Sequence, residues 1–396
     1  MRRKAALALL LLAASVTCAQ SSRDTRGVRP PEATRVVEFR LRGYHAHGGE
    51  IALAGSFNDW RPARGSLARD GDFLWRVPLK PGKHAYKFFV NGRAILDPHN
   101  LSAEADAEGN VNSVIVVGER GGVLTNLMPE SVARRLDIRD GMVDVGGHRL
   151  HFNCTGQRRA GRPVVVLEAG NMSSSQVWFK VRPRVAEFAR VCAYDRAGRG
   201  GSEEARGEPH TGEDIVRDLR VLLSKAGERA PFVLVGHSLG GVLARIYASR
   251  HPREVAGMVL VDSAHEEQDA RAEAMIPEEV KAQFTEEERR VMSSERLDFV
   301  RLFAEARAPR FASDIPLEVL TAGRFDAGIT DPRIAPLAPK FEELRLELQR
   351  ELVSRSPRGR QTIARQSGHF IHWDEPELVV EAIRRVVSEA SARGAR

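Results

Sequence analysis

The chain of 396 residues has only three cysteines, 6% aromatic residues and one long apolar run. Each shortage excludes something. Three scattered cysteines form no zinc-type cluster, so no bound metal is expected. The apolar run, residues 5–14, is about half the roughly 20 residues needed to span a bilayer, which excludes a polytopic membrane protein. Glycine and proline, 34 and 20 residues, are too few for collagen or for a chain of flexible linkers. No nucleic-acid-binding motif is apparent, and the net charge of +7 comes from arginines interspersed with acidic residues, as in 286–290. That is the pattern of a solvated surface, so no nucleic-acid partner is expected. What remains, 42% hydrophobic and 29% charged residues, suits a chain that buries large cores, and the length suggests two domains.

The start of the chain reads as an address. Arg2, Arg3 and Lys4 precede the apolar run, and small residues from Ser15 to Ala19 follow it, the order of a secretory signal over residues 1–19. Cleavage after Ala19 would release a protein with no integral membrane segment, exported to the periplasm or beyond; Cys18 is the alternative, a lipidation site. Export would put Cys154 and Cys192 in an oxidising compartment. Their spacing leaves open whether they pair or stay as two buried thiols.

Residues 34–118 read as short strands separated by turns, at 36–41, 50–54, 73–79, 84–91 and 112–117, with Asn91-Gly92 marking a hairpin. This is an all-β sandwich of immunoglobulin-like type. Gly55-Ser56-Phe57-Asn58-Asp59-Trp60, the stretch from Pro81 through Lys87 to Gly92, Asp97-Pro98 and Asn110-Val111-Asn112 resemble the early-set glycogen-binding module of starch-branching enzymes and of the AMP-activated kinase β subunit. The resemblance implies a weak polysaccharide contact through Trp60, Lys87 and Asn112. It departs from the family at Ala94, where a second sugar-stacking tryptophan is expected. The competing reading is that the module props up its neighbour or shapes access to it.

After a polar connector, 119–140, the pattern changes. Apolar strands at 142–145, 149–154, 164–168, 191–194, 232–235, 258–261, 317–320 and 362–365 alternate with helical stretches, which predicts an α/β domain over 141–396 with an eight-stranded, largely parallel sheet. Thr211 with Asp214 three residues on predicts the N-cap of a helix through Lys225, with Ile215, Leu219, Leu222 and Leu223 on one face.

Gly236-His237-Ser238-Leu239-Gly240-Gly241 stands between an apolar strand and a helical segment, the context of a nucleophile elbow, in which a serine oxygen is exposed on a tight turn. A serine hydroxyl needs a base, and His369, in Ser367-Gly368-His369 after the last strand, is the candidate, with His372 its competitor. His237 is expected to point away. The acid that orients the imidazole is assigned to Asp326, after strand 317–320; Asp262, at the end of strand 258–261, is the alternative. Backbone N–H donors for the oxyanion are assigned to Leu239 and to Asn171, with Met172 the fallback.

These residues, with Asp195-Arg196-Ala197-Gly198-Arg199-Gly200-Gly201-Ser202, resemble the α/β-hydrolase superfamily, specifically its capped esterases and lipase-like members. The resemblance implies that Asp195 and Arg196 brace a loop, that 263–314 is a helical cap, and that no cofactor is needed. Met275, Phe284, Met292, Phe299 and Phe303 of the cap either line a pocket or pack on the sheet. The expected activity is serine carboxyl-ester hydrolysis of a small-molecule or acylated-glycan ester. The rival is a glycan-binding scaffold with a vestigial hydrolase domain.

Overall fold

The computed structural model describes residues 34–41, 50–68, 72–90, 92–118, 124–125, 136–205, 207, 209–281, 297–307, 314–325 and 332–394. The signal-like segment lies outside them. Residues 34–396 form a single compact unit.

Eight strands of the α/β domain make one sheet: β1 (Arg139–Asp144), β2 (Arg149–Thr155), β3 (Val164–Glu168), β4 (Val191–Tyr194), β5 (Phe232–His237), β6 (Val255–Val261), β7 (Leu317–Ala322) and β8 (Gly359–Ala364). Their spatial order is β1-β2-β4-β3-β5-β6-β7-β8. The β1–β2 and β2–β4 pairs are antiparallel and the pairs from β4–β3 to β7–β8 are parallel. The middle strands are buried along their whole length because helices cover both faces. On one face Gly212–Lys225 and Leu239–Arg250 pack with Phe299–Ala306, and on the other Pro376–Gly394 covers the strands. Thr211 caps Gly212–Lys225 through a reciprocal capping box with Asp214, as its sequence predicts.

Two adjacent strands are tied covalently. Cys154 of β2 pairs in register with Cys192 of β4 and the two form a disulfide, which resolves the alternative left open above.

The N-terminal domain is a sandwich of two sheets. One contains Arg35–Leu41 and Phe73–Leu79; the other contains Ile51–Gly55, Gly82–Val90, Ala103–Ala105 and Val111–Val117. Their inner faces enclose Val37, Phe39, Leu53, Trp75, Tyr86 and Phe88. The Tyr86 hydroxyl donates to buried Asp97 at 2.6 Å, which accounts for an acidic residue in the core. Leu124–Thr125, in the stretch read as connector, adds a parallel edge to Arg35–Leu41.

The sandwich leans on the α/β domain through the hairpin after Val90 and the loop before Val111. Gln176 donates to the Ala94 carbonyl at 3.1 Å, Leu101 packs on the sheet's core, and the ring of Trp373 reaches Gly109. A Cβ on Gly201 would lie 3.0 Å from both Ile95 and His151. His151 is buried and lies 2.9 Å from Asp195 and 3.2 Å from Asp140. Burial works against its charge, but the two carboxylates outweigh it and push its pKa up to about 10.

Candidate active site

Strand β5 runs straight into Ser238, which has φ 52° and ψ −120° and is followed at once by helix Leu239–Arg250. A non-glycine residue in that backbone region is strained, and it persists here because neighbours over-determine it. A Cβ on Gly236 would lie 2.4 Å from the Gly240 carbonyl oxygen, and one on Gly240 would lie 2.4 Å from that of Glu168. The turn is thus as tight as the Gly-x-Ser-x-Gly spacing implies. Leu239 opens the helix, so its N–H has no place in the helical ladder.

The loop after β3 runs alongside. A Cβ on Gly170 would come within 3.3 Å of the Ser238 Cβ. Buried Arg196 holds this loop from behind, donating to the carbonyls of Ala169 at 2.7 Å and Gly170 at 2.6 Å and pairing with Glu168 at 2.6 Å. Asp195 accepts from the backbone N–H groups of Ser175 and Gly201. Both side chains brace loops, the role the sequence resemblance implies. Asn171 and Met172 follow, Met172 at φ 57° and well exposed.

The imidazole of His369 stands between β8 and Ile371–Asp374, with its side chain 48% exposed. Its Nδ1 lies 2.7 Å from the Asp262 Oδ2. The acid beside the candidate base is therefore the alternative, Asp262 at the end of β6. Asp326 falls outside the described residues. The physical reason for Asp262 is visible in its support: its Oδ1 accepts the Ala322 N–H at 3.0 Å and Arg345 Nη1 at 3.1 Å. Arg345 is itself held by Glu342 and the Ala322 carbonyl. Burial disfavours the charge on Asp262, but the hydrogen bonds from His369 and Ala322 and the nearby Arg345 hold its carboxyl below the ordinary range. Asp262 is ionised at neutral pH.

The other two histidines are accessory. His237 is buried, lies 3.0 Å through Nε2 from the His369 carbonyl, and its pKa is driven well down by burial and by the neighbouring histidines. Through that contact it braces the backbone of His369. His372, the competitor of His369, is fully buried between Trp178 and His237, with burial taking its pKa down to about 3. Sequence reasoning missed Arg345, which sits 83 positions from Asp262, and the His237 contact with the His369 carbonyl, 132 positions away; neither leaves a local signal in the sequence.

Ser238, Asp262 and His369 all line one cavity of about 460 Å³. Its apolar wall is Ala272, Phe325, Phe341, Leu344 and Leu348. Most of that wall comes from β7's loop and helix Ala338–Val353 and not from the aromatic residues of the cap. Phe299 and Phe303 pack against the sheet's core instead, and Phe284 and Met292 lie outside the described residues.

Residues 163–307 match the family described as alpha/beta hydrolase fold. The chain carries an α/β-hydrolase domain. Residues 39–122 of the sandwich match the family described as the glycogen recognition site of AMP-activated protein kinase. Among curated proteins, "Probable transporter efuK" of Hormonema carpetanum is 38% identical over 133 residues, 32% of this chain and 19% of that protein. An "AB hydrolase superfamily protein" of Gibberella zeae is 25% identical over 57% of this chain and 86% of its own length. This chain thus spans less than a fifth of the first and most of the second. A solved thermophilic esterase from Thermogutta terrifontis, malate bound, is 24% identical, with a TM-score of 0.44 over 64% of this chain and 99% of that one.

The candidate glycan residues of the sandwich are less open than the hydrolase site. Trp60 is 40% exposed on the turn after Ile51–Gly55. Asn112, by contrast, is 5% exposed and donates to Asp106 and to the Asn110 carbonyl, and Lys87 is partly buried beside Asp106, with burial lowering its pKa.

Proposed function

We propose that this chain is an exported serine hydrolase that cleaves carboxylic esters through an acyl-enzyme. The observation that carries the reading is the 2.7 Å contact of His369 Nδ1 with Asp262 at a cavity that Ser238 also lines. With Nδ1–H given to Asp262, the Nε2 lone pair of the neutral ring is the one available to take a proton. Ser238 Oγ attacks the ester carbonyl, His369 takes its proton and returns it to the departing alcohol, and ionised Asp262 stabilises the imidazolium between those steps. The N–H groups of Leu239 and Asn171 take up the charge on the carbonyl oxygen. Water, activated by the same imidazole, releases the acid. No cofactor enters. The Cys154–Cys192 disulfide supports an oxidising, exported setting.

The test is a screen of p-nitrophenyl esters by acyl length with Ser238→Ala beside it. Turnover should fall at least a thousandfold in the variant; turnover within tenfold of the native protein would refute the assignment.

A second reading, an esterase acting on acylated polysaccharide, is favoured by one observation, the exposed Trp60 ring on a glycogen-recognition module.

A further inference from the structure

Helix Ala338–Val353 turns one stripe toward the active-site cavity: Phe341, Leu344, Arg345, Leu348 and Gln349. Four of the five are accounted for. Three are apolar wall, and Arg345 is held by Asp262, Glu342 and the Ala322 carbonyl. Gln349 is not. It is 3% exposed, and its Nε2 donates to the Ser263 carbonyl at 2.7 Å, an oxygen that can only accept; the amide's orientation is therefore fixed and Oε1 must be the other atom. That Oε1 is buried and has no hydrogen-bond partner among the described residues.

A buried acceptor without a donor is costly, so its place on a cavity wall points to a donor brought by what the cavity holds. Of the other polar groups on the wall, Asp269 is exposed and offers acceptor oxygens, Gln268 accepts the His265 N–H at 3.1 Å through Oε1 and keeps its amide N–H groups as donors, and the Nδ1 of His265 accepts the Glu267 N–H at 3.2 Å. Gln349 thus sets its acceptor beside the apolar side chains of its own helix, Phe341, Leu344 and Leu348, while Arg345, the cation on the same stripe, is occupied. Gln349 also lies close to the chemistry. The Ser263 carbonyl that it holds adjoins Ala264, whose N–H donates to the Ser238 carbonyl at 3.0 Å.

Resting on the ester-hydrolase reading, we propose that Gln349 is a specificity-determining residue that accepts a hydrogen bond from a hydroxyl of the ester, a few bonds from the scissile carbonyl. The substrate class is a hydroxy ester, either a hydroxyacyl ester or an ester of a polyol, with an otherwise apolar body.

Two matched pairs test this: p-nitrophenyl 3-hydroxybutyrate against the butyrate, and 2-hydroxyethyl butyrate against propyl butyrate. In the native protein the hydroxylated member of at least one pair should be favoured about tenfold in kcat/KM, and in Gln349→Met the preference should fall to within about twofold, because a site built to bond a hydroxyl discriminates through its own unpaired group. The ratio is read within each protein, so a general loss of activity in the variant cancels. Gln349→Leu serves if the methionine variant does not fold. Parity of both pairs in the native protein, or a preference that survives either variant, overturns the proposal. Absence of turnover on all four esters overturns the ester-hydrolase reading itself, and the proposal with it.

Discussion

The two domains carry the same kind of signal in sequence, a family motif with polar or aromatic residues at its ligand positions, yet they treat those residues differently. In the hydrolase domain Ser238, His369 and Asp262 line one open cavity, and the bonds around them bury Asp262 while leaving the His369 side chain half exposed. In the sandwich two of the three candidate contacts are engaged: Asn112 donates to Asp106 and Asn110, and Lys87 is partly buried beside the same aspartate. The hairpin strand Arg93–Ile95, which has Ala94 where a second stacking ring is expected, lies against Gln176 of the hydrolase domain. A motif can therefore establish a fold in both places while the chemistry depends on which polar groups the fold leaves available.

The comparison would break first at the acid. Asp262→Asn should lower kcat on the best p-nitrophenyl ester on the order of 10²- to 10⁴-fold, since the amide cannot hold the same tautomer or balance the imidazolium. Asp326→Asn should stay within about twofold. A large loss at Asp326 with a small one at Asp262 would reverse the assignment.

A smaller effect is expected at the joint between the domains. His151, buried against Asp140 and Asp195, has its pKa raised to about 10 from an ordinary 6.5, so its contribution to stability is complete below about 6.5 and is lost as pH rises through 10. The denaturant midpoint of the native protein should fall between pH 6 and pH 10, and His151→Gln should flatten that fall. Equal slopes in the two proteins would remove this histidine from the account.

The smallest effect belongs to the sandwich. Trp60→Ala should weaken retention on an insoluble glucan severalfold, about 1 kcal/mol for one stacked ring. Retention unchanged by the substitution would leave the module as a prop for its neighbour.

Much of this architecture was legible because local pattern and tertiary role coincide. The runs at 164–168 and 191–194 are strands β3 and β4 to the residue, and Thr211 with Asp214 caps its helix, since burial and capping act over a few neighbouring residues. The tight turn at Ser238 was legible because its glycines stand between an apolar strand and a helical segment. The carboxylate beside His369 was not. Asp262 and Asp326 both follow parallel strands, and what favours Asp262 is the Ala322 N–H and an arginine from a distant helix, neither of which leaves a trace near residue 262. The cap's apolar residues at helical spacing left two roles open, pocket lining or packing on the sheet, and Phe299 and Phe303 take the second. The Cys154–Cys192 pair depended on the register of β2 against β4, which spacing alone does not reveal.

The central claim, that Ser238 is the nucleophile of an ester hydrolase, is tested most directly by mass spectrometry of the intact protein after treatment with a fluorophosphonate. One adduct per chain is expected, on the peptide that contains Ser238, and none in His369→Ala over the same interval. An unlabelled native protein, or an adduct on another residue, would contradict it.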